Sequence, residues 1–344
     1  MEQRILSVIV PCYNEIENIE KCILSIVNQK FSFGNYEILV VDGNSNDGTA
    51  EVLRQLSAKY NNIRIIRNNR RITPVALNLG IQAAQGEFIT ILGAHSEYDP
   101  DYLNNSLKLF KDHPEISCSG GPIISTGNTP FGQAAALAMS HPIGVGNAKH
   151  RFPDYEGYAE GACFPTFRKS VFQEIGYYDE RLVRNQDDEL NFRMTKTGGK
   201  VYISPSVRSV YMVRNRPSKL FRQYFDYGFW RVAVIFMHKM PVSLRQLVPV
   251  LFILSLIALP LFSAAVPEHS LILSLFLPLL YISTLCIFSV PVLLKRGLHI
   301  SLLFICSVVI LHFSYGLGFL KGLFSKRTRL SLLEFNQVKY ADQS

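Results

Sequence analysis

Three long apolar stretches, residues 247–266, 271–294 and 300–320, constrain this chain more than any other feature. None contains Asp, Glu, Lys or Arg. Each is long enough to cross a hydrocarbon layer of about 30 Å, which takes about 20 helical residues. Helices buried in a soluble bundle would keep a charged face toward water, and these have none. They predict three membrane helices, with Pro249, Pro260, Pro278 and Pro291 tolerated as kinks. Arg231, Lys239 and Arg245 before the first stretch, and Lys295 and Arg296 before the third, suit a cytoplasmic side, while the PEHS link suits the outside. Three full spans then leave the basic KGLFSKRTR segment outside, so one re-entrant span is the alternative.

The remaining composition narrows the partners. A formal charge of +8 favours anionic ones, such as a membrane surface or phosphates. Nucleic acid is not expected, because the Lys and Arg residues are dispersed and no binding motif is present. Cys12, Cys22, Cys118, Cys163, Cys286 and Cys306 show neither a CxxC pair nor metal-ligand spacing, so they read as reduced thiols of a cytosol-facing protein. MEQRILSVIVPCYNE reads as a strand, not as a signal peptide.

Upstream of about residue 245, strand and helix patterns alternate. ILSVIVP, YEILVVDG, NIRIIRN and EFITILG are buried-strand runs. Between them lie NEIENIEKCILSIVNQ, with helical spacing at Ile16, Ile19, Ile23 and Ile26, then SNDGTAEVLRQLSAKY with Ser45 or Asn46 placed to cap it, and TPVALNLGIQAAQG. This predicts an α/β domain with a mostly parallel, Rossmann-like sheet, whose ligands bind outside the carboxyl ends of the strands. Pro11 to Glu15, Asp42 to Asp47 and Gly93 to Asp99 should therefore converge. Glycine at 93, followed by Ala94, His95 and the carboxylates Glu97, Asp99 and Asp101, leaves open an ion site or a plain acidic turn. No GxGxxG follows the first strand, which argues against a dinucleotide-dependent oxidoreductase.

VIVPCYNE, ILVVDGNSNDGT, TPVALNLGIQAAQGEFITILGAH and NQDDELNFR, in that order, resemble the motifs of the inverting family 2 (GT-A) glycosyltransferases over about residues 5 to 240. The apolar C-terminus and the AHxxYxPxY pattern resemble the succinoglycan and exopolysaccharide branch. The resemblance implies a GT-A nucleotide-sugar-binding domain followed by transmembrane helices. It implies that Pro11, Tyr13 and Glu15 line a nucleoside pocket, that Asp42 meets the base, and that Asn44, Arg71 and Ala94 belong to the donor side. Turn chemistry explains Asp42 and the Asn44 to Asp47 run as well, and Arg70 and Arg71 read equally as a solvated pair.

Where relatives carry DxD or DAH, this chain has Gly93, Ala94 and His95. By resemblance His95 binds a divalent cation, with Mn²⁺ preferred over Mg²⁺ because of the imidazole, and Glu97 or Asp99 adding an oxygen. The alternative is a surface histidine. Asp187 matches the family's base, with Asp188 in reserve and Gln186 where a glutamate is usual. Gly161, Ala162 and Cys163 match the acceptor-side segment. LFRQYFDYGFWRVAVIFMHKM resembles an interfacial helix, with Tyr224, Phe225, Phe229 and Trp230 at headgroup level and Arg222, Arg231 and Lys239 snorkelling. A buried helix is its alternative.

The expected organisation is a catalytic domain at 1–220, an interfacial segment at 221–245, membrane helices at 246–323 and a basic tail at 324–344. The expected enzyme sits in the cell membrane with its catalytic domain cytoplasmic. It moves a sugar from a nucleotide-sugar, UDP-linked by expectation, to a lipid-linked saccharide. A processive synthase is one alternative, disfavoured because Gln223 does not begin a QxxRW signature. A non-catalytic nucleotide-binding scaffold is the other, for which Gly93 is the argument. Oligomeric state is left open.

Overall fold

The computed structural model describes residues 4–241, 243–263 and 270–330. The PEHS link and most of the basic tail lie largely outside these residues. In chain order the elements are β1 Arg4–Cys12, α1 Ile19–Val27, β2 Asn35–Asp42, α2 Thr49–Lys59, β3 Ile63–Arg67, α3 Thr73–Ala83, β4 Phe88–Ile91 and α4 Tyr102–Asp112. There follow β5 Cys118–Gly121, β6 Ile123–Thr126, α5 Pro130–Met139, α6 Pro142–Val145, β7 Gly157–Ala159, β8 Cys163–Arg168, α7 Ser170–Ile175, α8 Gln186–Lys196, β9 Val201–Ile203 and β10 Ser209–Met212. The C-terminal helices are α9 Pro217–His238, α10 Val248–Ser263, α11 Ser270–Phe324 and α12 Lys326–Leu330.

Two compact units divide the chain. One holds residues 1–124 and 148–211, the other 125–147 and 212–344. Residues 125–147 thus join the C-terminal helices although the sequence places them amid the strand-and-helix region.

In the first unit an eight-stranded sheet runs β3-β2-β1-β4-β8-β5-β9-β7. β1 is parallel to both β2 and β4, and β2 to β3. Side chains alternate along β1, so Leu6, Val8 and Val10 pack with α1 and α4 on one face while Ile9 packs with α3 on the other. The parallel register is pinned by a buried carboxylate. Glu37 is fully buried and stands opposite Ser7, whose hydroxyl donates to it at 2.8 Å. Gln85 N–H donates to the same oxygen at 2.7 Å, and Arg4 and Arg64 pair with the other at 2.5 and 3.1 Å.

Two expectations change locally. α1 begins at Ile19, four residues past Glu15, and Ile16 is exposed in the preceding loop. α2 is not capped by Ser45 or Asn46. Gly48 stands at that position, and Asp47 just before it accepts from Thr49 N–H at 3.0 Å and from the Thr49 hydroxyl at 2.6 Å. Those bonds, the hydroxyl's first, hold its carboxyl below the usual range.

In the second unit two helical stretches are long and apolar enough to cross a membrane, Leu244–Leu261 and Ser274–Phe324. Just 17% and 11% of them are buried, which a soluble core helix would not tolerate. At 1.5 Å per residue, the 51-residue stretch would reach about 75 Å, over twice a bilayer core. It breaks at Gly297, where φ is 82° and ψ 170°. Its arms pair antiparallel, Ser301 hydroxyl to Ser289 carbonyl at 3.3 Å and Tyr281 to His312 at 2.9 Å, with Lys295 and Arg296 beside the break.

α9 departs from the interfacial reading. Tyr224, Trp230 and Arg231 are buried within this unit rather than set at its surface, while Arg222 and Lys239 are exposed. Glycines permit the close packing. A Cβ on Gly318 would lie 2.0 Å from Phe225 O, and one on Gly228 2.0 Å from Tyr315 O.

Replacing Glu37 by Ala strands the buried Ser7 hydroxyl and Gln85 N–H. The detergent-purified chain is expected to lose about 2–4 kcal/mol, read as a lower urea midpoint. An unchanged midpoint would show that the node does not hold the sheet.

Candidate active site

Because β1, β2, β3 and β4 run in parallel, the loops that follow them open on one edge of the sheet. There they border a cleft of about 570 Å³ that lies wholly within the first unit. That volume suits a small-molecule ligand. The cleft gathers Pro11, Tyr13, Glu15, Arg71, Ala94, His95, Gly161, Ala162, Cys163, Asp187 and Asp188. Of the expected site residues, Asp42 and Asn44 do not border it. Asp42 is buried and accepts from Ser45 N–H at 3.2 Å and from its hydroxyl at 2.5 Å, while Asn44 pairs with Arg67 and Asn69. Gly43 stands at the wall instead.

The loop after β1 is laced to the loop after β2. Asn14 N–H donates to Ser45 Oγ at 2.9 Å, Glu15 N–H to Thr49 Oγ1 at 2.9 Å and Ile16 N–H to Asp47 Oδ2 at 3.1 Å. In return Asn46 N–H donates to Asn14 Oδ1 at 3.0 Å. The NSNDGT run thus fixes Tyr13 and Glu15 without bordering the cleft itself. The adjacent arginines separate: Arg70 pairs with Glu180, while Arg71 borders the cleft with φ of 57° and its guanidinium 5.6 Å from the Tyr13 ring centre.

Gly93 has a steric explanation. A Cβ there would lie 2.9 Å from Cε1 of Phe164, whose ring occupies the space of the missing side chain. Tyr98 OH accepts from Gly93 N–H at 2.6 Å and donates to its carbonyl at 3.0 Å, and the Tyr98 ring meets Phe164 edge-on at 5.4 Å. Tyr102 OH donates to Phe164 O at 2.8 Å. The tyrosines of the AHxxYxPxY pattern therefore brace this turn. His95 Nδ1 stands 3.8 Å from Glu15 Oε1. Glu97 and Asp99, expected beside it, do not border the cleft, and the Asp99 carboxylate accepts from Asp101 N–H at 3.1 Å.

Asp187 and Asp188 lie in the first turn of α8. Asp187 borders the same cleft as Gly161 to Cys163. Glu189 is buried and clasps Arg193 at 2.7 and 2.8 Å, and Arg193 donates to Tyr177 O at 2.7 Å. That ion pair, expected from its i,i+4 spacing, docks α8 rather than entering the cleft. Residues not foreseen also border it: Phe164, His150, Arg151, Arg184, Gln186 and Asn191. Gln186 Oε1 and Asn191 Oδ1 are buried acceptors with no hydrogen-bond partner. The substitution of Gln186 for a glutamate was their sole trace in the sequence.

The Glycosyl transferase family 2 model matches residues 7–176. A Methanococcus voltae protein, dolichyl N-acetyl-alpha-D-glucosaminyl phosphate 3-beta-D-2,3-diacetamido-2,3-dideoxy-beta-D-glucuronosyltransferase, is 28% identical over 329 residues, which are 92% of this chain and 97% of that one. Succinoglycan biosynthesis protein ExoA of Rhizobium meliloti is 28% identical over 248 residues, 70% of this chain and 73% of its own. Among solved structures, mannosyltransferase PcManGT from Pyrobaculum calidifontis, in complex with GDP-Man and Mn²⁺, superposes with a TM-score of 0.58 at 19% identity, covering 93% of this chain and 87% of that one. At that identity the likeness speaks to fold, and the fold is GT-A.

Burial pushes the Cys163 thiol up to about 11. Since the raised value disfavours the thiolate, Cys163 stays protonated at neutral pH and packs rather than attacks. Iodoacetamide at neutral pH is expected to leave it unlabelled in the folded protein by peptide mass spectrometry. Rapid labelling there would refute this.

Proposed function

We propose that this enzyme, whose residues 7–176 match the Glycosyl transferase family 2 model, moves one sugar, with inversion, from a UDP-sugar to a lipid-linked saccharide at the membrane. The observation that carries this reading is the convergence of Tyr13, Glu15, Arg71, His95 and Asp187 on one cleft at the carboxyl edge of the sheet.

On this reading the nucleoside lies against Pro11 and Tyr13, and Arg71 above the Tyr13 ring meets the diphosphate. Arg151 and Arg184 add positive charge to the same cleft. A divalent cation, when bound near His95, supplies further charge for the leaving diphosphate. Asp187 accepts the proton of the acceptor hydroxyl as that oxygen attacks the anomeric carbon, and the bond from that carbon to the diphosphate oxygen breaks on the opposite side. Gln186 and Asn191 offer orphaned acceptors to sugar hydroxyls, whose absence would leave them unpaired.

Membrane placement suits this acceptor. A polyisoprenoid-linked saccharide stays in the bilayer, so an enzyme held there by α10 and the two arms of α11, with its cleft on the cytoplasmic side, meets it by lateral diffusion. The M. voltae relative, named for a dolichyl-linked substrate, spans nearly the whole chain.

Asp187→Asn is expected to keep UDP affinity within about twofold and to lower sugar transfer into the lipid extract by about 10²–10⁴. Asp188→Asn is expected to cost less. Full turnover in Asp187→Asn would remove the base assignment, and a ladder of products on a gel instead of one added sugar would favour the processive reading.

A further inference from the structure

We propose that Glu15 and His95 form a two-donor site for the divalent cation carried by the donor diphosphate, with Glu15 standing in for the carboxylate that position 93 lacks. The inference rests on the nucleotide-sugar reading above and adds to it the identity of the protein ligands.

Geometry comes first. Glu15 Oε1 and His95 Nδ1 are 3.8 Å apart, and both side chains border the cleft. Two metal bonds of about 2.1 Å reach at most about 4.2 Å from donor to donor. The two groups are therefore within reach of one ion, with side-chain adjustment bringing them to a regular coordination angle. The side chains are 25% and 59% exposed, so they are open to an incoming ligand yet anchored at their base.

The anchoring is unusually complete for a loop residue. Glu15 N–H is held by Thr49 Oγ1 at 2.9 Å, and its carbonyl accepts from Asn18 and Ile19 N–H at 2.9 and 2.8 Å. Oε2 accepts a long bond from Asn18 Nδ2 at 3.4 Å, which leaves Oε1 on the His95 side. A carboxylate held this way loses little entropy on meeting an ion.

Position 93 and two of the carboxylates on these loops are already engaged. At position 93 the Phe164 ring fills the space, 2.9 Å from where a Cβ would stand. Asp42 is engaged by Ser45, and Asp99 by Asp101 N–H. Among the described residues no group of three or more His, Cys, Asp or Glu side chains is arranged for a metal. Two protein donors hold an exchangeable ion weakly, and diphosphate oxygens and water complete its shell. Cation uptake should therefore require nucleotide. The imidazole favours Mn²⁺ over Mg²⁺.

The test is Mn²⁺ uptake by the detergent-purified full chain, read from the electron paramagnetic resonance signal of free Mn²⁺, with and without UDP. UDP affinity is measured in parallel in Mn²⁺ and in EDTA. Wild type is expected to take up Mn²⁺ with UDP present and little without it. Glu15→Gln and His95→Ala should each weaken that uptake at least tenfold, and Glu15→Gln should weaken UDP binding more in Mn²⁺ than in EDTA. If Glu15→Gln weakens UDP equally in both media, Glu15 is a ribose or base contact and the inference falls. Unchanged Mn²⁺ uptake in Glu15→Gln also overturns it. A second arm uses the packing: in the Glu15→Gln background, Gly93→Asp with Phe164→Ala should restore uptake, and Gly93→Asp alone should not. Absence of UDP binding by wild type in either medium would sink the nucleotide-sugar reading itself, an outcome distinct from UDP binding that survives the loss of Glu15.

Discussion

The contact between Ser7 and Glu37 sets the level of everything above it. These residues face each other across the β1–β2 ladder, and the carboxylate between the strands is fully buried. Slipping the register by one residue would turn Glu37 to the opposite face of the sheet and leave its donors without a partner. With donors from β1, β3 and the turn after α3, the node fixes where four parallel strands stop. The loops that follow can then form one wall.

Above that node, two sequence motifs act as one structure. The NSNDGT run supplies side-chain oxygens to the backbone of the loop after β1, and so acts through Tyr13 and Glu15. Its short hydroxyl, carboxylate and amide groups are the kinds that bond to nearby backbone readily. A cleft whose polar groups are held in place before ligand arrives has less to reorganise on binding. The same economy of motion holds on the far wall, where Arg193 ties α8 to the carbonyls around Gly176 and keeps the helix bearing Asp187 in place.

Position 93 is a repacked site rather than a vacant one. Loss of a side chain usually leaves a void, but here an aromatic ring fills it and two tyrosines brace the ring. The local structure is consequently committed to glycine, and ion binding, where it occurs, must draw on the neighbouring carboxylate. In the second unit glycines serve a different end. They let α9 approach α11 at backbone distance, which buries an arginine and two aromatics that composition alone would assign to a lipid interface.

The amino-acid sequence by itself determined the strands of the parallel half-sheet, the edge where the cleft opens, the likeness to family 2 glycosyltransferases and the long apolar helices. Each is written in local pattern: period, strand-end polarity, motif order and length without charge. Asp187 and His95, expected at the cleft because they sit within such patterns, do border it. The tertiary structure alone decided which residues share a wall. Asp42 and Asn44 are absorbed by turn hydrogen bonds, Arg70 and Arg71 part company, and Glu15 rather than Glu97 or Asp99 stands beside His95. The buried role of Glu37 shows only once its partners, 27 to 48 positions away, are brought to it. Such pairings join residues far apart in sequence, and local pattern carries no record of the distance between them.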